Sequence, residues 1–178
     1  GALKYQKEDR FVSFSFGKIY GIVGENGIGK STFLRKLSGL ENEKGSHFSL
    51  FGKELRKRQR LALSAMVMQD VNQQLFGDSV EEEMELGKTG QKRSLKERCK
   101  GIIDGQENEQ KKTKPHNTTK EELLNALGLS ELKDRHPMSL SGGQKQRLAL
   151  AATLYQEAKL FFFDEPTSGM DQKNMLRI

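Results

Sequence analysis

Residues 19–34 read IYGIVGENGIGKSTFL, and the fold depends on how this stretch divides. Ile19–Val23 is a short apolar run, the pattern of a buried β-strand. Gly24–Ser31, GENGIGKS, follows at once, and then Phe33, Leu34, Leu37 and Leu40 recur at helical spacing. Strand, Gly-x-x-x-x-Gly-Lys-Ser and helix, in that order, is the context in which such a loop cradles phosphate. Gly24, Gly27 and Gly29, with Glu25, Asn26 and Ile28 between them, let the backbone wrap an anion with its N–H groups inward. Lys30 brings a point charge for β/γ oxygens, the Ser31 hydroxyl suits a Mg²⁺ position, and Thr32 is placed for the α-phosphate. The expectation is a nucleoside-triphosphate site.

Outward from that loop, FVSFSF ahead of it alternates like a half-buried strand. HFSLFG and LSAMVMQ behind it are short strand candidates, while SVEEEMELG and TKEELLNALGLSEL look helical. AKLFFFDE is a continuous apolar run of parallel-strand type. Strands alternating with helices argue for an α/β fold with a mainly parallel sheet. The LFFFDE run ends in Asp164 and Glu165, at the edge where such a sheet places its ligands. Asp164 is expected to reach Mg²⁺ through water, and Glu165 to polarise a water attacking the γ-phosphate. A second anion site is legible in LSGGQKQRLALA, residues 140–151. There Ser141 can cap a helix while Gly142 and Gly143 leave the first amide N–H groups bare.

Composition limits what the chain can be. At 178 residues it fits one domain, and no apolar run approaches the roughly 20 residues of a membrane span. The single cysteine, Cys99, excludes an intramolecular disulfide, fits a reducing compartment and reads as an incidental thiol in a polar segment. The net charge of +6 suggests nucleic acid only until it is located. Residues 88–120 hold ten Lys/Arg against four Asp/Glu, and the rest of the chain balances at 20 of each. That stretch is polar, broken by Gly and Pro, and poor in aromatics. It reads as a solvated, partly disordered basic insert rather than a nucleic-acid platform.

With these residues in hand, the chain resembles the ATPase subunits of ABC transporters. GENGIGKST resembles their Walker A motif, LSGGQ their signature, LFFFDEPTSGMD their Walker B motif with its D-loop, and Gln69 their Q-loop glutamine. The resemblance implies a P-loop NTPase core with an N-terminal antiparallel β part and an inserted α-helical subdomain. It implies ATP and Mg²⁺ as cofactors, with Ser31, Gln69 and Asp164 around the metal and Glu165 and Gln69 catalytic. It further implies head-to-tail pairing with a second ATPase domain, each signature (Ser141, Gly142, Gly143, Gln144) capping the ATP held by the other domain's P-loop. The remaining implied partner is a transmembrane transporter subunit at the cytoplasmic face of the membrane. No nucleic acid is expected. In that family an early aromatic stacks on adenine; Tyr5 is the candidate, with an ordinary surface tyrosine as the alternative.

MVMQDVNQQLFGDSVEEE, residues 66–83, is similar to the Q-loop region of energy-coupling factor transporter ATPases, importers of vitamins and transition metals, and most like the second half of fused two-ATPase forms. Leu75 and Phe76 are expected either to form an exposed apolar patch for a partner helix or to fold into the insertion's own core. One ATPase domain is expected, with residues 1–75 and 140–178 as the ATP-binding core and 76–139 as the helical subdomain. The strand bearing the family's switch histidine would lie beyond Ile178, so the chain reads as truncated there and hydrolysis by the fragment alone is in doubt. His47, His116 and His136 all precede Asp164 and cannot take its place. Two other readings remain: a soluble ABC ATPase of DNA repair or translation, and a non-hydrolysing nucleotide switch. The absence of a heptad run disfavours the first, and Glu165 with an intact LSGGQ disfavours the second.

Overall fold

The computed structural model describes residues 1–86, 99, 102 and 118–167. β1 (Ala2–Lys7) and β2 (Arg10–Ser15) form an antiparallel hairpin with Lys7 opposite Arg10. Its two-residue turn holds Glu8 at φ 52°, the left-handed conformation that so tight a connection favours. Alternation along β1 buries Leu3 and Tyr5, while β2 stays largely exposed as the sheet edge. β3 (Ser46–Leu50) pairs with the other side of β1, and β4 (Lys53–Glu54) completes the order β2-β1-β3-β4.

Against this sheet pack α1 (Lys30–Ser38) and α2 (Lys57–Leu63), so that Leu37 and Leu63 share an apolar cluster with Leu3, Phe48 and Leu50. α2 runs directly into β5 (Ser64–Val67), which pairs in parallel with β6 (Leu160–Phe163), Val67 opposite Phe163. After β5 come a 3₁₀ turn at Val71–Gln73 and a helical stretch at 80–86. α3 (Lys120–Ala126) and α4 (Gly142–Leu154) follow, each opened by a capping box, Thr119 with Glu122 and Ser141 with Gln144. These elements build a second cluster in which Leu124 and Leu148 meet Val67, Leu75 and Val80. That cluster runs across the expected 139/140 boundary. The class is α/β, with an antiparallel sheet at the N-terminus, a parallel strand pair, and helices. Among the described residues no helix is long and apolar enough to cross a membrane.

Several expectations need correcting. Ile19–Val23 is not a strand: Ile19 is 102% and Val23 95% exposed. An apolar run supplies the side chains of a central strand but not the neighbours that pair it, and no described strand pairs with these residues. α1 stops at Ser38 because Gly39 turns left-handed at φ 88°, so Leu40 falls off the helical face and is 40% exposed. The 119–132 helix breaks after Ala126, where Gly128 at φ 65° leads to a 3₁₀ turn at Ser130–Leu132. Cys99 and Ile102, expected in a solvated insert, are buried in the first cluster beside Leu63. The rest of 88–117, His116 included, and the D-loop residues 168–171 lie outside the described residues.

Candidate functional site

The site forms where the N-terminus of α1 meets the end of the parallel pair. Gly29 caps α1 at φ 99° with no side-chain cap, so the first amides of the helix are left to an incoming anion. Gly24–Ile28 precede it as an exposed loop in which Gly27 is also left-handed, at φ 83°. Lys30 folds back over that loop, donating from Nζ to the Gly24 carbonyl at 2.8 Å and the Glu25 carbonyl at 2.9 Å. Its ammonium therefore sits inside the turn, where bound phosphate oxygens could replace the two carbonyls. Thr32 is exposed in the first turn of α1.

Two long-range hydrogen bonds close the site. Ser31 Oγ donates to Asp164 Oδ1 at 2.9 Å across 133 residues. Gln69 Nε2 donates to Glu165 Oε2 at 3.2 Å across 96 residues. Asp164 is 8% exposed and continues the β5–β6 ladder, its N–H donating to the Val67 carbonyl at 3.0 Å. Glu165 sits at φ 51°, an uncommon conformation for a non-glycine residue; such strain gathers at functional sites. A hydroxyl, a carboxylate and an amide oxygen from Ser31, Asp164 and Gln69 make a hard oxygen donor set of the kind Mg²⁺ takes when it also keeps water and phosphate ligands.

The signature residues stand apart. Ser141 Oγ accepts from Gln144 N at 3.4 Å while Ser141 N donates to Gln144 Oε1 at 2.8 Å, an internal capping box with Gly142 and Gly143 inside it. The described hydrogen bonds of this box do not reach the Lys30 loop.

Tyr5 fits no stacking role here. It is 8% exposed, its ring lies 5.3 Å from Phe33 and 5.2 Å from Phe48 between centroids, and its hydroxyl donates to Glu43 at 2.8 Å. The ring is buried among aromatic neighbours, one edge-to-face and one tilted, and its hydroxyl is committed to Glu43. Leu75 and Phe76 part company: Leu75 is 5% exposed within the second cluster, and Phe76 is 76% exposed. Phe76 borders a groove of about 290 Å³ lined also by Leu40, Leu61, Met66 and Met68.

Sequence reasoning missed the clamp behind Gln69. Gln74 donates to the Met66 carbonyl and accepts from Met68 N, both at 2.7 Å, folding the loop back onto β5. Asp70 caps the turn by accepting from Asn72 N at 3.1 Å, and Lys145 of α4 donates to Asn72 Oδ1 at 3.1 Å. The Asp-x-Asn spacing was the one available signal; nothing in the sequence announced Gln74 or Lys145.

Known proteins resemble the chain along nearly its whole length. The ABC transporter family matches residues 9–168. A Treponema denticola protein described as an ABC transporter ATP-binding protein is 43% identical over 166 residues, 92% of this chain and 29% of that protein. An energy-coupling factor transporter ATP-binding protein of Thermotoga maritima is 35% identical over 179 aligned positions, 98% of this chain and 60% of that protein. A solved bacterial Atm1-family ABC exporter with ATP bound matches with a TM-score of 0.72 at 20% identity, covering 99% of this chain and 31% of its own, a likeness of fold. The chain thus spans from under a third to three fifths of the length of these relatives.

Proposed function

The chain belongs to the ABC transporter family, and from that membership we propose that it is the ATP-binding and ATP-hydrolysing part of an importer of the energy-coupling factor type, taking up a vitamin or a transition metal. It works as one ATPase domain at the cytoplasmic face of the membrane, held there by a transmembrane subunit. The observation that carries this reading is the chain of contacts Lys30–Ser31–Asp164–Glu165–Gln69, which gathers a cation, a metal-type donor set and a carboxylate base at one strand end. The 30–35% identity to energy-coupling factor ATPases supports the importer type.

In this reading the residues of 24–32 hold the triphosphate, with Lys30 leaving its loop carbonyls for the β/γ oxygens. Ser31 and Gln69, with Asp164 acting through water, would hold Mg²⁺, which would supply neutralisation of the phosphate charge. Glu165 takes a proton from the attacking water, and Gln69 steadies the carboxylate that does so. The N-terminus of α4, with Ser141, Gly142, Gly143 and Gln144, faces the γ-phosphate on a second ATPase domain, so ATP draws the pair together head to tail. Phe76, at the groove beyond Gln69, takes the apolar face of a membrane-subunit helix.

The first test is nucleotide binding. Lys30→Ala removes the fixed cation at the β/γ-phosphates, and calorimetric titration is expected to show no MgATP binding at micromolar nucleotide. Unchanged affinity would remove the nucleotide site from this loop.

A further inference from the structure

The exposure of Phe76 is not accidental looseness. Its backbone N–H and that of Gly77 both donate to Oε2 of Glu83, each at 2.7 Å. Glu83 is 6% exposed on the helical stretch at 80–86, so its carboxylate is withdrawn from water and committed to this turn. Two backbone N–H groups converging on one shielded carboxylate oxygen at this distance make a tight clamp. Gly77 permits the close approach: a Cβ there would meet Glu83 N at 2.7 Å and Ser79 O at 3.1 Å. The helix is itself fixed at its start, where Val80 N and Glu81 N donate to the Arg135 and Lys133 carbonyls at 2.9 and 3.0 Å. On the other side of the turn Leu75 is anchored in the core. A ring three-quarters exposed between two anchored points is presented, not merely unburied.

We infer that Glu83 is a positioning residue that fixes Phe76 in advance as an apolar plug beside the 290 Å³ groove, for an amphipathic helix with basic residues flanking its apolar face. The charge of that helix follows from Asp78 and Glu82, both exposed next to the plug. Preorganisation is what Glu83 supplies: the ordering cost of the turn is met before the partner arrives. This inference rests on the transporter reading above and names a part of its docking surface.

The test uses the complete protein with its transmembrane subunit, measuring assembly by quantitative co-purification and MgATP affinity on the same samples. Phe76→Ser is expected to weaken assembly about tenfold or more, the scale of one lost buried aromatic. Glu83→Gln is expected to weaken it several-fold, with MgATP affinity unchanged in both. The decisive sample is the double variant, which should assemble no worse than Phe76→Ser alone, because Glu83 acts through that ring. Gly77→Ala disturbs the same turn without touching the carboxylate and should show the same non-additivity, which covers the case in which Glu83→Gln does not fold. Losses that multiply in both double variants would overturn the positioning role while sparing the docking site. Normal assembly of Phe76→Ser would instead overturn the docking reading itself.

Discussion

Glu43 shows how one side chain can hold the N-terminal layer to the nucleotide helix. It accepts from Lys36 at 2.7 Å, Tyr5 at 2.8 Å and Lys7 at 3.1 Å, joining α1 to β1. Burial pushes its carboxyl pKa up, but the bonds from Lys36, Tyr5 and Lys7 outweigh that and bring it down to about 2. Burial, and then the bond to Glu43, push the Tyr5 phenol up to about 12. A carboxylate with a depressed folded-state pKa contributes stability above its unfolded value and loses it on acidification. Glu43 therefore stabilises the protein fully above pH 4.5, and that contribution disappears as pH falls toward 2. Glu43→Gln should cost about 1–2 kcal/mol at pH 7, discounted for solvent reaching the lysines, and should flatten the acid limb. Urea denaturation at pH 7, 4 and 3 checks this; an unaltered acid limb would show that other groups set it. None of this was legible in advance. Tyr5 could be recognised as an early aromatic, but only its burial against Phe33 and Phe48 decides that it packs rather than stacks.

The elements around the site owe their ends to backbone conformation. α1 begins at left-handed Gly29 and ends at left-handed Gly39, a short helix whose N-terminus is free for an anion and whose C-terminus abuts α2. A Cβ on Gly39 would meet the Lys57 carbonyl and Arg60 Cβ, both at 2.9 Å, besides the strain of φ 88°. Gly39→Ala should lower stability by about 1–3 kcal/mol, measured by thermal and chemical denaturation. Wild-type stability would mean that α2 can give way at this contact. The two strands were legible in LSAMVMQ and LFFF because short runs of β-branched, aromatic and aliphatic residues leave few alternatives, while their parallel pairing came only with the structure. The helix after the glycine loop was legible too, though not where it stops. Ile19–Val23 was not, since apolar composition names a strand's side chains and not the backbone that pairs with it. The Leu75–Phe76 pair was likewise undecidable: adjacent apolar residues look alike in sequence, and the Glu83 carboxylate seven residues on decides which turns out.

Across the whole molecule, motifs distant in sequence become one site through two hydrogen bonds, Ser31 to Asp164 and Gln69 to Glu165. Walker A, the Q-loop glutamine and Walker B made that convergence foreseeable, because a parallel strand ending in both acids delivers them to the edge that faces the glycine loop. The proposed ATP-linked pairing has the signature helix complete a second domain's site rather than its own. Its most direct test is sedimentation of the complete protein carrying Glu165→Gln with MgATP, with nucleotide analysed in each fraction. With the base removed, hydrolysis should slow about 10²–10⁴-fold, and the protein should run as a dimer retaining intact ATP. A monomer that releases ADP at close to the parent rate would contradict both the assignment of Glu165 and the ATP-linked pairing.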